Sequence, residues 1–219
     1  LGSANIARRS LIPALLSMPE QFNILGVASR SLSDAKIVGG EFNIDPFEGY
    51  ENLLSQPGLD AVYIPLPNAL HPRWIEASLN RNLHVLVEKS LACDLETVKR
   101  LNDLARRKNL VLIENFQFRF HSQLQTLLQY VNDGSIGELR CIRSSFGFPG
   151  PTDPDDIRYK KELGGGALLD TGAYPLKIAQ ILMGEDIEVK AANLNSLPGK
   201  EVDMWGGAYV QQKSSGLFG

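Results

Sequence analysis

A regular alternation of strand-length apolar runs with helix-length amphipathic stretches fills residues 1–114, and it constrains the fold more than any other feature of the sequence. Strands that alternate with helices in this way form a parallel sheet covered by helices. The predicted strands are residues 24–28, 61–64, 84–87 and 110–113, and the predicted helices are residues 5–16, 33–41, 72–81 and 94–108. The sequence therefore predicts the α/β class for this part of the chain.

The last of these helices has the clearest start and the clearest buried face. Asp94 is a predicted N-cap, because its short carboxylate can accept a hydrogen bond from the first turn. The apolar side chains that recur at helical spacing are Leu95, Val98, Leu101 and Leu104. We expect all four to face the core.

The pattern changes after Glu114, and we predict a domain boundary there, with domains of residues 1–114 and 115–219. The second part is predicted to contain a helix at 122–132, a strand at 139–148, a helix that ends at 183 and a strand at 187–194. Residues 1–7 already read as the interior of a motif, and residues 213–219 contain no closing element. We therefore expect the chain to be incomplete at both ends.

The composition favours a small molecule as the partner. The net charge is −3 and the Lys and Arg residues are scattered, which argues against nucleic acid and against an anionic membrane surface. No apolar run is long enough to cross a bilayer, and Cys93 and Cys141 match no metal-ligand spacing, so we predict no metal site. An isolated cysteine pair in a chain of this size is typical of reduced thiols in a cytoplasmic protein.

The first residues resemble a cofactor-binding turn. The dinucleotide fingerprint G-x-G-x-x-G is matched here with alanine at the second and third glycine positions, by Gly2, Ser3, Ala4, Asn5, Ile6 and Ala7. A helix begins at once, so its N-terminus can receive a pyrophosphate. The alternative is an ordinary tight turn between a strand and a helix.

The end of the next predicted strand indicates which dinucleotide is bound. A carboxylate at this point would bind the adenosine ribose 2′-hydroxyl, but the sequence has Ser29, Arg30 and Ser31. A hydroxyl beside an arginine suits a 2′-phosphate, which favours NADP(H), with NAD as the alternative. The other interpretation of Arg30 is an ordinary surface residue.

Two further loops leave the carboxyl ends of neighbouring predicted strands, where parallel sheets bind ligands. The first contains Leu66, Pro67, Asn68 and His71, and the second contains Glu88, Lys89 and Ser90. We predict that both line the cofactor crevice, although a structural role for His71 stays open.

The stretch GGGALLDTGAYP, residues 164–175, places Asp170 and Tyr174 four residues apart. If the segment is helical, the carboxylate and the phenol share one face. The three glycines would let the backbone approach a ligand, and Pro175 should kink the helix just beyond the tyrosine. The alternative is a core helix in which Tyr174 packs against apolar neighbours. His121 is a further candidate for contact with a substrate or a diphosphate, with a structural role as the alternative.

The motifs LGSANIA, VASRS, YIPLPNALH, VEKS, ENFQFRFHS and GGGALLDTGAYP, in this order, resemble the glucose-fructose oxidoreductase, inositol dehydrogenase and MocA family. Within it the resemblance is nearest to the NDP-hexose 3-ketoreductases. It implies an N-terminal Rossmann domain with a doubly wound parallel sheet, followed by an α+β substrate domain with an open, mainly antiparallel sheet that is incomplete at its C-terminal end. Many relatives pair through the exposed face of that sheet, which implies a homo-oligomer.

The resemblance also implies roles for individual residues. Lys89 matches a lysine that reaches the nicotinamide ribose and the substrate oxygen, Asp170 matches a carboxylate that positions the sugar, and Arg158 resembles an arginine near the cofactor. Tyr174 stands where the ketoreductase branch has its proposed proton donor. Ser90 replaces a proline that often follows a cis peptide bond, so the geometry of the Lys89–Ser90 bond stays open.

These residues predict an NADP(H)-dependent oxidoreductase that transfers a hydride between the nicotinamide and a sugar carbonyl or hydroxyl. A phenol beside an ammonium is a good proton donor to the oxygen of a ketosugar, free or nucleotide-linked, and we assign these roles to Tyr174 and Lys89. One alternative is a sugar or trans-dihydrodiol dehydrogenase of the same family. The other is a catalytically silent regulator that binds the cofactor.

Overall fold

The computed structural model describes residues 1–219, which form two units, Leu1–Asn115 and Phe116–Gly219. The division falls one residue after the boundary expected at 114. That residues 1–114 bind the nucleotide and residues 115–219 bind the substrate stays a prediction.

The first unit is built on parallel strands. They are β1 (Val27–Ser29), β2 (Pro46–Glu48), β3 (Ala61–Ile64), β4 (His84–Glu88) and β5 (Leu112–Asn115). β1 pairs with β2, and β4 lies between β3 and β5. The backbone nitrogen of Leu1 donates to the Tyr63 carbonyl over 2.5 Å, and that of Gly2 donates to the Ala28 carbonyl over 2.7 Å. Residues 1–2 therefore lie between β1 and β3, and the order across the unit is that of a doubly wound sheet.

The helices of the first unit follow the strands along the chain. A π-helical turn (Ala7–Leu11) leads into α1 (Ile12–Leu16), and α2 (Leu32–Phe42), α3 (Tyr50–Leu54), α4 (His71–Asn80) and α5 (Leu95–Arg107) follow. Asp94 caps α5 as predicted, since its Oδ1 accepts from the Thr97 backbone over 2.8 Å. The sequence did not reveal β2 and α3, because three and five residues are too few for a periodic pattern.

The buried face of α5 differs from the prediction at its first residue. Leu101 is fully buried, but Leu95 is 65% exposed, because it is the first helical residue and lies beyond the edge of the core. Ala105 is buried in its place, one turn after Leu101. The core that α5 covers also contains the fully buried Ile64 and Val87 of the sheet.

The second unit combines two helices with an antiparallel strand pair. A π-helical turn (Leu168–Gly172) leads into α7 (Ala173–Met183), and an earlier helix, α6, spans Ser122–Asn132. β6 (Ile187–Asn195) pairs antiparallel with β7 (Trp205–Gln212), with a register shift between Val189 and Ala191. The parallel sheet of the first unit and this mixed second unit confirm the predicted fold class. No helix of the structure has the length and apolar character that a membrane span needs.

Two predictions for the second unit are wrong. Residues 139–148 do not form a strand: Cys141 alone makes a bridge, to Phe218, because alternation in sequence does not supply a pairing partner. Pro175 lies in the first turn of α7, where its missing N–H is tolerated, and the helical irregularity precedes it in the π-helical turn.

We expect Leu101→Ala to lower the free energy of unfolding by about 2–5 kcal/mol, because it leaves a cavity in a fully packed core. Leu95→Ala on the same helix removes an exposed side chain and should change stability by less than about 0.5 kcal/mol. Urea unfolding of both variants measures the difference. Equal losses would contradict the burial pattern described for α5.

Candidate functional site

The turn at Gly2 has the shape that a dinucleotide fold requires. Gly2 has a φ of 102°, and a Cβ at this position would lie 2.8 Å from Leu66 Cδ2, so a glycine is needed. Ala7 N donates to the Ala4 carbonyl over 3.0 Å, which shows that the helix begins directly after the turn. Ser3, Ala4, Asn5 and Ile6 thus lie at a helix N-terminus, where backbone N–H groups favour an anion.

The Ser29–Arg30–Ser31 segment occupies the carboxyl end of β1. Ser29 is buried as the last residue of the strand, and Arg30 is exposed. Ser31 is the N-cap of α2 and accepts from Asp34 N over 3.4 Å, and its hydroxyl also contacts that of Ser33. Arg30 therefore supplies the one charged side chain of this three-residue segment, and that side chain is exposed to solvent.

The loops after β3 and β4 are bonded to each other. Ser90 N donates to Asn68 Oδ1 over 3.1 Å, and the Ser90 carbonyl oxygen lies 2.7 Å from His71 Nδ1. His71 Nε2 lies 2.7 Å from the Leu66 carbonyl oxygen, and the whole residue is inaccessible to solvent. The structure brings these predicted residues together, and the His71 ring links the two loops from inside. The predicted place of His71 at the cofactor stays a prediction.

The residues on both sides of Lys89, Glu88 and Leu91, are hydrogen-bonded to the neighbouring strands. Glu88 Oε1 accepts from Tyr63 Oη over 2.6 Å and from Asn115 Nδ2 over 2.8 Å, and Leu91 N donates to Glu114 Oε1 over 2.8 Å. Lys89 itself is partly buried, and the Lys89–Ser90 peptide bond is cis. Burial and the hydrogen bond to Glu88 both raise the pKa of Tyr63, which keeps its hydroxyl a donor.

Sequence reasoning did not identify Tyr63, Glu114 and Asn115 as parts of this site. Tyr63 and Glu114 lie on strands that pair with β4 on either side, and Asn115 pairs directly with Glu88. Polar side chains near the carboxyl ends of predicted parallel strands are the signal that points to such residues, since those ends share one edge of the sheet.

Asp170 in the second unit is paired with Arg158. Arg158 Nε donates to Asp170 Oδ2 over 2.8 Å, and its Nη1 lies 3.3 Å from Asp156 Oδ1. Burial disfavours the charged form of Arg158, but the hydrogen bond and charge of Asp170 and the charge of Asp156 outweigh it, so the pKa of Arg158 is raised. The arginine that the resemblance assigned to the cofactor thus holds the candidate carboxylate.

Two of the three glycines, Gly165 and Gly166, lie close to other parts of the chain. Gly164 and Gly166 have φ values of 74° and 108°, and a Cβ at Gly165 would lie 2.5 Å from the Arg158 carbonyl oxygen. Gly165 is therefore packed closely on the Arg158 segment, and the predicted approach of these glycines to a ligand stays a prediction. Asp203, which sequence reasoning missed, accepts from Leu168 N over 2.6 Å and caps the helix that follows.

Tyr174 follows Asp170 on the continuous helix 167–183, and its ring is enclosed by aromatic neighbours. The ring centroids of Phe146, Phe116 and Phe118 lie 5.0, 5.9 and 6.0 Å away. This packing agrees with the alternative in which the Tyr174 ring packs against apolar neighbours. The catalytic role of its hydroxyl stays a prediction. Phe146 also helps to line a cavity of about 510 Å³, together with Phe148, Arg158 and Asp170.

His121 has a structural role in the second unit. It is exposed and is the N-cap of α6, where its Nδ1 accepts from Gln123 N over 3.1 Å. Its predicted contact with a substrate or diphosphate stays a prediction. No group of three or more His, Cys, Asp or Glu side chains is placed to hold a metal ion.

Comparison with known proteins decides the family. Residues 1–116 match the oxidoreductase family with an NAD-binding Rossmann fold, and residues 124–217 match the GFO/IDH/MocA C-terminal domain. The chain belongs to the GFO/IDH/MocA oxidoreductase family. This confirms the family predicted from the motifs.

Several members of the GFO/IDH/MocA family are similar over nearly the whole chain. The chain is 42% identical to a dTDP-3,4-didehydro-2,6-dideoxy-alpha-D-glucose 3-reductase of Streptomyces violaceoruber, over 99% of this chain and 63% of that protein. It is 35% identical to D-xylose 1-dehydrogenase (NADP(+)) 2 of Haloferax volcanii, over 90% of this chain and 60% of that protein. The chain thus spans somewhat less than two thirds of these relatives.

A solved structure gives the same result. The crystal structure of a 3-ketoreductase from Actinomadura kijaniata in complex with NADP and TDP-benzene superimposes with a TM-score of 0.94 at 39% identity. The match covers 99% of this chain and 66% of that chain.

Proposed function

We propose that this protein is an NADP(H)-dependent oxidoreductase that reduces the carbonyl group of a nucleotide-linked ketosugar. The observation that carries the proposal is the 42% identity to a dTDP-sugar 3-reductase, with Lys89, Asp170 and Tyr174 all present. The similar 3-ketoreductase that was crystallised with NADP and TDP-benzene supports both the cofactor and the nucleotide-linked substrate.

The residues at the carboxyl edge of the parallel sheet fit NADP(H). The Gly2 turn leaves no room for a side chain, and the helix N-terminus at residues 3–6 suits a pyrophosphate. The exposed Arg30 suits a 2′-phosphate, and no carboxylate competes within the Ser29–Ser31 segment. The loops at residues 66–68 and 88–90 would border the nicotinamide half of the cofactor. Glu88 is the last residue of β4, and Lys89 follows it directly. NAD is the alternative cofactor.

The chain's own residues supply the proton and the orientation in this proposal. When bound, the nicotinamide supplies the hydride. Negative charge that grows on the carbonyl oxygen must be neutralised as the hydride arrives, and a phenol beside an ammonium does this well. We assign proton donation to the Tyr174 hydroxyl and electrostatic support to Lys89 Nζ. Asp170, held by Arg158, would accept a hydrogen bond from a substrate hydroxyl and so orient the sugar.

The second candidate function is the reverse reaction on a sugar or diol. The 35% identity to a D-xylose 1-dehydrogenase and the 33% identity to a trans-1,2-dihydrobenzene-1,2-diol dehydrogenase of Xenopus laevis favour it. Screening free and nucleotide-linked ketosugars for NADPH oxidation, and the matching alcohols for NADP reduction, separates the two directions. If the protein turns over none of these compounds, the result supports the remaining hypothesis, a regulator that binds the cofactor without catalysis.

We expect Tyr174→Phe and Lys89→Ala each to lower turnover by several orders of magnitude, because each removes a group that acts on the developing oxyanion. NADPH affinity should change little. Tyr130→Phe is a matched control, since Tyr130 is 48% exposed on α6 and has no assigned role. Steady-state turnover and a fluorescence titration with NADPH provide the two measurements. Undiminished turnover in both variants would reject the mechanism.

The exposed Arg30 generates a prediction about cofactor choice. NADPH should bind more tightly than NADH, and Arg30→Ala should remove that margin, because the guanidinium is the proposed partner of the 2′-phosphate. Arg106→Ala is the control for the loss of one positive charge, since Arg106 lies in the last turn of α5 and its side chain is 82% exposed. Equal affinities of the unmodified protein for NADPH and NADH would contradict the assignment.

An apolar sheet face supports the proposed homo-oligomer. On one face of the strand pair Trp205 and Tyr209 are 53% and 44% exposed, and the Tyr209 ring lies 5.7 Å from that of Phe218. Val210, on the opposite face, is buried with Ala179 and Met183 of α7. We expect the protein to pair through the exposed face, so light scattering should give at least a dimer mass and Trp205→Glu should give a monomer. A monomer without the substitution would refute this.

The cytoplasm is the compartment that we propose for this activity. Cys93 and Cys141 are both exposed and form no disulfide, which suits a reducing environment.

A further inference from the structure

The ring of His71 occupies a buried position between the two loops that follow β3 and β4. It begins α4, it is inaccessible to solvent, and each of its nitrogens lies 2.7 Å from a carbonyl oxygen. The two oxygens belong to different loops, those of Leu66 and Ser90. A single side chain thus spans the gap between the loop before α4 and the loop that carries Lys89.

The backbone of Ser90 is held on both of its polar groups by the first of these loops. Its N–H donates to Asn68 Oδ1 and its carbonyl faces His71 Nδ1. The residues around Lys89 are held by other strands, since Glu88 bonds to Tyr63 and Leu91 bonds to Glu114. The direction in which the Lys89 side chain leaves the backbone therefore depends on the Ser90 contacts on one side and the Glu88 contacts on the other.

The charges of Glu88 and Lys89 both act on His71. Burial lowers the pKa of His71, the contacts with Ser90 and Leu66 and the charge of Glu88 oppose this, and the charge of Lys89 adds to it. A neutral imidazole donates from one nitrogen and an imidazolium donates from both. In either state the ring can donate to at least one of the two loops.

We propose that His71 is a positioning residue that fixes the Lys89 loop against the Leu66 loop and so aims the Lys89 ammonium. This rests on the role proposed above for Lys89 in catalysis. A misplacement of about 1 Å in a catalytic group lowers turnover by about 10²-fold, so a contact that fixes the backbone beside Lys89 has a measurable effect on the rate.

The test is a double-mutant cycle on the whole protein. His71→Leu should lower turnover by about 10²-fold while NADPH affinity stays within about twofold of the unmodified protein. In the Lys89→Ala background the same change should lower turnover by no more than about twofold, because the group that His71 aims is gone. Equal losses in both backgrounds, or undiminished turnover in His71→Leu, would overturn the proposal. If His71→Leu does not fold, His71→Gln, which keeps one donor, takes its place in the cycle.

Ser78→Ala is the matched control for buried polar groups. Ser78 lies on the same helix, is equally inaccessible, and donates to Trp74 O over 2.6 Å within the helix. It should lower stability without lowering turnover. A loss of turnover like that of His71→Leu would mean that any disturbance of α4 has this effect, and would overturn the positioning role.

Amide hydrogen exchange separates this inference from the proposed function. The exchange rates of the Ser90 and Leu91 amides should rise in His71→Leu and stay unchanged in Ser78→Ala, relative to the unmodified protein. This expectation does not depend on the substrate. Unchanged exchange at both amides in His71→Leu would overturn the proposal even if the sugar reduction is established. If the protein turns over no sugar, the function proposed for Lys89 fails, while the exchange result still decides whether His71 holds the loop.

Discussion

The parallel register of β3, β4 and β5 is the constraint on which the candidate residues of the first unit depend. β4 pairs Val87 with Glu114 and Glu88 with Asn115, and on its other side Ile64 pairs with Val87. This register brings the Glu88 carboxylate within reach of donors from both neighbouring strands. A slip of one residue would turn Glu88 to the other face of the sheet and detach the Lys89 loop from both strands.

The candidate residues of the second unit depend on contacts between distant parts of its sequence. Asp203 caps the helix that carries Asp170, although 35 residues separate it from Leu168. The Arg158 and Asp170 side chains are 42% and 22% exposed, and an ion pair this accessible contributes only about 0–1 kcal/mol to stability. Its main effect is therefore on orientation: the planar guanidinium fixes the carboxylate, and the carboxylate keeps the arginine charged.

Local patterns predicted the elements whose signal lies within a short window. The apolar strands β3 and β4, the helix α6 and the Asp94 cap all follow from neighbouring residues. Residues 139–148 have the alternation of a strand but lack a partner along their length, which no local pattern reveals. The contacts of His71 with Ser90, of Arg158 with Asp170 and of Asp203 with Leu168 were not predicted for the same reason, since each joins residues that lie at least 12 apart in sequence.

The glycine run shows that a motif can require glycine for reasons that the local sequence does not reveal. The sequence indicated that Gly164–Gly166 must be glycines, and the left-handed φ of two of them agrees. A side chain at Gly165 would meet the Arg158 backbone, and one at Gly166 would meet the Asp203 side chain. A requirement for glycine shows that something approaches the backbone closely, and only the folded chain shows what it is.

The residues that position the candidate site residues keep a single protonation state at and above neutral pH. The pKa of Tyr63 and the pKa of Arg158 are both raised, so each keeps its proton, and the amides of Asn68 and Asn115 do not titrate. Burial lowers the pKa of His71, which favours its neutral form at neutral pH, and a further rise in pH leaves that form unchanged. A change in turnover on the alkaline side therefore reports on the reacting groups themselves, because the groups that position them do not change charge there.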